Sequence, residues 1–77
     1  MATIPIFLSL HEVIVSGDTT PMRVNVAAIA SYKPGTENRS FLTFTDGRSL
    51  VMAESCGQID QQISLAGGVV VPEQAAS

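Results

Sequence analysis

At 77 residues the chain makes one small domain, near the size at which a single core is only marginally stabilising. Its net charge of −3 sets four basic residues (Arg23, Lys33, Arg39 and Arg48) against seven acidic ones, which argues against nucleic-acid binding and against a basic membrane-surface patch, both of which need clustered Lys and Arg. With 45% hydrophobic and only 14% charged residues, so small a domain lacks the charge to cover its surface, and the excess apolar area calls for a homo-oligomer or an obligate protein partner.

The single cysteine excludes an internal disulfide and fits a reducing, cytoplasmic compartment. The first eight residues are apolar but lack a basic leader and a small-residue cleavage site, and they are too short to span a bilayer. They read as a buried strand over residues 4–10, with Pro5 near its start, where a strand tolerates proline. Residues 11–15 continue that strand or form their own. Ser16-Gly17-Asp18-Thr19-Thr20-Pro21 is a turn cluster. Met22, Val24 and Val26 then alternate with Arg23 and Asn25, the pattern of a half-buried strand. Residues 27–32 fit a helical turn or a strand. A bend at 25–28 followed by a short strand at 29–33 is the preferred reading, and residues 34–39 form a polar loop.

The chain is organised around what comes next. Asp46-Gly47 favours a two-residue type I′ turn, so residues 41–45 and 48–53 read as one β-hairpin. In that register Phe44 faces Ser49, Leu42 faces Val51 and Phe41 faces Met52. One face carries Leu42, Phe44, Val51 and Ala53, the other Phe41, Thr43, Leu50 and Met52, so both faces need cover. Ser55 with Gln58 three residues on is a capping-box pattern for a helix whose inner face holds Ile59 and Ile63, ended by Ala66-Gly67-Gly68. Val69-Val70-Val71 reads as a last strand stopped by Pro72. Residues 1–72 are thus one domain and residues 73–77 a flexible tail.

No catalytic motif stands out. Cys56 lies just after the helix cap, where a thiol pKa can fall, but catalysis would need a base and the sole histidine, His11, is far off in sequence. A small buried thiol is the plainer reading. His11-Glu12 beside Asp18 lacks the three or four ligands of a metal site, and the glycines do not form a phosphate cradle. No metal or cofactor is expected. The loop Lys33-Pro34-Gly35-Thr36-Glu37-Asn38-Arg39 is the best candidate recognition loop, against the commoner role of a plain connection.

Val24-Asn25-Val26, Ile29, the Asp46-Gly47-Arg48 hairpin, Val51-Met52-Ala53-Glu54-Ser55 and the helix with Ile59 and Ile63 together resemble the small FlbD-like flagellar and swarming-motility proteins. The likeness spans residues 23–63, about half the chain. The same order of elements is similar to the core of LytTR-type DNA-binding domains, which carry basic residues in their C-terminal part where this chain runs VVVPEQAAS.

These readings converge on an α+β domain: a small, strongly curved antiparallel sheet of four to six short strands with one C-terminal helix packed on it. The expected function is non-enzymatic protein binding by a cytoplasmic homo-oligomer, flagellar-motility-like by resemblance. Phe41, Leu50 and Met52, together with strand edges, are the expected oligomer contacts. One alternative is a phage-encoded or accessory oligomer that binds a host protein or sequesters a small anionic, nucleotide-like ligand near Arg23, Lys33, Arg39 and Arg48. The other is a DNA-binding regulator.

Overall fold

The computed structural model describes residues 4–71. Five strands and one helix follow one another as β1 (Phe7–Val13), β2 (Thr19–Asn25), a 3₁₀ turn (Val26–Ala28), β3 (Ile29–Pro34), β4 (Ser40–Phe44), β5 (Ser49–Met52) and α1 (Cys56–Leu65). The strands form one antiparallel sheet in the order β2-β1-β5-β4-β3, not closed, with α1 packed on it. The expected α+β architecture is present. So is the bend, whose Asn25 Oδ1 accepts from the Ala27 amide at 2.9 Å before β3 begins.

Curvature follows from connectivity. Strands β2 and β3 are the two outer strands, which in a flat five-stranded sheet would lie ~19 Å apart. Only the 3₁₀ turn joins them, and four Cα steps span at most ~14 Å. The sheet must therefore curl until its outer strands approach at that corner, and its concave face becomes the core. Leu8, Leu10, Val24, Leu42, Met52 and Ile59 are buried there, with Met22, Ile29, Tyr32, Phe44, Leu50 and Ile63 against them. Each such side chain contributes about 1.5–3 kcal/mol when fully buried.

The hairpin β4–β5 departs from the type I′ reading. Leu42 faces Leu50, Phe41 faces Val51 and Ser40 faces Met52. The Phe44 amide donates to the Arg48 carbonyl at 2.8 Å and the Gly47 amide to the Phe44 carbonyl at 3.0 Å, so Thr45, Asp46 and Gly47 form a three-residue loop. Gly47 alone takes a positive φ, +93°, which is the glycine bulge of such loops. The extra residue shifts the pairing by one and exchanges the faces of β5 relative to β4. Leu42, Phe44, Leu50 and Met52 then share the inner face, and Phe41, Thr43, Ser49 and Val51 share the outer one. The inner face of the hairpin is wholly apolar, whereas the outer one mixes Phe41 and Val51 with Thr43 and Ser49. Two successive positive φ values, as a type I′ turn requires, occur instead at Glu37 (+57°) and Asn38 (+60°) in the β3–β4 loop.

Helix α1 begins and ends as its sequence predicts. Ser55 and Gln58 complete the capping box, with the Ser55 amide 2.8 Å from Gln58 Oε1. At the other end Gly68 donates to the Ile63 carbonyl and Gly67, at φ +98°, to that of Ser64, the two bonds of a Schellman cap. Beyond this cap, residues 69–71, expected as a strand, are irregular and pair with no strand of the sheet. The expected stop at Pro72 and the tail 73–77 lie outside the described residues.

Both outer strands are blunted. The Ile14–Asp18 and Val26–Ile6 backbone bonds fix which β2 amides face β1, and Pro21 belongs to the opposite, outward set. The same reasoning from the Phe44–Arg48 and Gly35–Arg39 bonds puts Pro34 on the outward side of β3. A proline offers no N–H there, so edge-to-edge pairing is disfavoured at both strands.

Candidate functional site

The four expected anion-binding cations do not form one cluster, although Lys33 and Arg39 both lie near Phe41. Arg39 Nη1 lies 3.5 Å from Glu37 Oε2, and Arg48 Nε bonds Asp46 Oδ2 at 2.8 Å. Hydrogen bonds from the Arg48 amide and then its side chain hold the Asp46 carboxyl below its usual range, against a smaller opposing effect of burial. Arg23 and Lys33 stand on different outer strands, β2 and β3.

The residues weighed for catalysis have structural partners. Burial first, and the Asp60 charge second, push the Cys56 thiol up, opposite to what a nucleophile needs. The His11 ring is bonded to Glu54 rather than to the thiol: Nδ1 lies 2.7 Å from Glu54 Oε2, and the His11 amide donates to Oε1 at 2.8 Å. Burial alone would raise the Glu54 carboxyl, but these His11 bonds outweigh it and hold the group below its ordinary value. Tyr32 donates its hydroxyl to Asp60 on α1, and burial together with that bond pushes the phenol up to about 12. No group of three His, Cys, Asp or Glu side chains that could hold a metal occurs among the described residues. Among the described residues no helix is long and apolar enough to cross a membrane.

The expected oligomer contacts separate in the same way. Met52 is fully buried in the core and Leu50 half-buried on the inner face, which removes both from the outer surface where Phe41 lies, 38% exposed. What surrounds Phe41 is the most distinctive feature of the outer face. The strand pairing runs Val51, Phe41 and Lys33 side by side, and Val13 flanks Val51 one step beyond the Glu12–Met52 pair. Lys33 Nζ sits 6.0 Å from the Phe41 ring centroid.

A cleft of about 330 Å³ opens here, lined by Val13, Ile14, Val15, Phe41 and Val51 and bounded by Gly35, Thr36 and Arg39 of the β3–β4 loop. Gly35 keeps it open, since a Cβ at that position would come within 3.1 Å of the Phe41 ring. Val15, at 108%, is as exposed as a side chain can be. The loop expected to mediate recognition thus forms one wall, with Arg39 in it. Val13, Ile14, Val15 and Val51 were not singled out from the sequence. The available signal was Ile14-Val15 directly before Ser16-Gly17-Asp18, because apolar residues running into a turn have no inner face to occupy.

A second apolar cavity, of about 340 Å³, lies between Ile4, Pro5, Ile6 and the Asn25-Val26-Ala27 corner. No protein-family model matches the chain, and no curated protein or solved structure matches it either.

Proposed function

We propose that this protein is a non-enzymatic protein-binding module that self-associates through the outer face of its sheet. One observation carries the reading: the cleft around Phe41, where five apolar side chains, the wholly exposed Val15 among them, line a concave surface. Exposed apolar grooves mark contact sites for proteins or ligands, and a protein is taken as the occupant here. The raised thiol of Cys56 and the engagement of His11 by Glu54 support a role without catalysis. Because Pro21 and Pro34 disfavour pairing through either outer strand, side chains rather than strand edges carry the contact. The likeness of residues 23–63 to FlbD-like proteins makes an accessory role in flagellar motility the setting of this proposal.

Light scattering coupled to gel filtration at tens of micromolar tests it. A defined oligomer is expected for the native chain and a monomer for Phe41→Asp, with far-UV dichroism unchanged. A native chain that runs as a monomer refutes the reading.

A further inference from the structure

Given self-association through the outer face, the occupant of the cleft can be named from chemistry within the chain. Its lining is apolar, and its two neighbouring cations are Arg39 in the wall and Lys33 over Phe41. A matching partner offers two or three compact apolar side chains followed closely by a carboxylate. Apart from Val13-Ile14-Val15, which line the cleft themselves, the sequence offers such a run at Val69-Val70-Val71-Pro72-Glu73. Val69 and Val71 are 90% and 72% exposed, and none of residues 69–71 belongs to the core cluster.

We infer that the segment Val69-Val70-Val71-Pro72-Glu73 of one copy docks in the Phe41 cleft of a second copy, valines against Val13, Val51 and Phe41 and the Glu73 carboxylate toward Arg39 and Lys33. Charge complementarity favours this occupant, because the segment carries one acidic residue and no basic one, whereas Arg39, held only at 3.5 Å by the exposed Glu37, and Lys33 over Phe41 border the cleft. Position makes the exchange intermolecular. Gly68 is fixed to the end of α1 by its bond to the Ile63 carbonyl, and α1 lies on the inner face, whereas the cleft opens on the outer one. A proline at position 72 has no N–H to offer a partner strand, in keeping with docking by side chains.

The test uses full-length chains and light scattering at a concentration where the native protein associates. Val69→Asp combined with Val71→Asp should yield monomers with native far-UV dichroism, since both positions are exposed. Arg39→Glu and Glu73→Lys should each weaken self-association by about tenfold or more, through like charges at the contact. An equimolar mixture of those two variants should regain it, because each then supplies the charge the other lacks. Only exchange between copies gives that rescue. If the double aspartate variant associates normally, or the mixture stays apart, the inference is overturned. Dissociation by Phe41→Asp alongside either failure leaves the outer-face reading standing and removes only this occupant. A native chain that is monomeric removes both.

Discussion

The β1–β2 ribbon and the β3–β4–β5 meander turn on the same loop but are completed by different means. In both hairpins a residue donates to the carbonyl four positions on and a glycine donates back: Ile14 with Asp18 and Gly17, Phe44 with Arg48 and Gly47. The glycine φ values, +92° and +93°, are the same. Strand ladders complete the meander, whereas a single ladder pair, Glu12–Met52, joins it to the ribbon. Along the rest of β1, side chains replace a strand. The Ser9 amide donates to Gln62 Oε1 at 3.0 Å, Gln62 Nε2 donates to the Ser9 carbonyl at 2.9 Å, and Glu54 takes the His11 amide. The short strand β5 runs out, and the Glu54 carboxylate just before α1 and the Gln62 amide on it continue its hydrogen bonding. The loops also differ in chemistry. Asp46 and Arg48 neutralise one tip, while Ile14 and Val15 leave the other apolar beside the cleft. One backbone design thus carries a charge-paired tip at one place and an apolar tip at another.

The largest expected effect comes at the junction of the two parts. Met52→Glu puts a carboxylate into a fully buried site at the ladder pair between ribbon and meander, at a cost of about 3–5 kcal/mol, enough to unfold so small a domain. Val51→Glu, one residue earlier on the outer face, should keep the fold. Urea denaturation of the pair therefore tests the register, since a two-residue turn would place Val51 inside with Leu42 and exchange the two results. The likeness of the loops is checked by Gly17→Val and Gly47→Val. Nothing lies within 4 Å of an added Cβ at either glycine, so both should lose ~1–3 kcal/mol through backbone strain alone. Unequal losses would mean that only one hairpin has this loop.

The elements that local chemistry determines could be read from the sequence: the Ser55–Gln58 cap, the Gly67 end, the bend after Asn25, and strands flanking each glycine turn. Tertiary context decided the remainder. Asp46-Gly47 suits a type I′ turn and a bulged three-residue loop alike, and that one-residue difference moved Met52 from an expected contact to the core. Val69-Val70-Val71 has strong strand propensity but no partner strand to pair with, and propensity without pairing makes no ladder. Of the site, Phe41 and the loop with Lys33 and Arg39 were expected. Val13 and Val51 join them only through a register that hydrogen bonding across the sheet sets.

A middling effect is expected where a side chain stands in for a strand. Gln62→Leu keeps the size of the side chain but removes both partners of the Ser9 backbone, leaving a donor and an acceptor to find water. A loss of ~1–3 kcal/mol should follow. Hydrogen exchange locates it, because the Ser9 amide should lose protection while amides of the β4–β5 ladder keep theirs. Equal loss in both would show that ribbon and meander open as one unit, against the distinction drawn here.

The smallest effects are those of pH, and they separate two ties, one made just before α1 and one made on it. The tie to the ribbon runs through Glu54, in the link between β5 and α1, whose folded-state pKa lies below the ordinary 4.5. A depressed carboxyl binds its proton more readily in the unfolded chain, so its contribution is complete above pH 4.5 and fades as pH falls through the folded value. The tie to the meander runs through Tyr32, raised from 10.0 to about 12. Here the folded state holds the proton more tightly, so the contribution is complete below pH 10 and is lost as pH rises toward 12. Tyr32 is the only tyrosine and there is no tryptophan, so absorbance near 295 nm reports this titration without interference. The midpoint should fall near 12 in the native chain and return toward 10 in Asp60→Asn, which keeps the shape but removes the charge. Glu54→Gln should flatten the acid limb of the stability profile and leave the alkaline limb unchanged, and Tyr32→Phe should do the reverse. If either substitution flattens both limbs, the two ties are not independent, and α1 holds ribbon and meander as one coupled network.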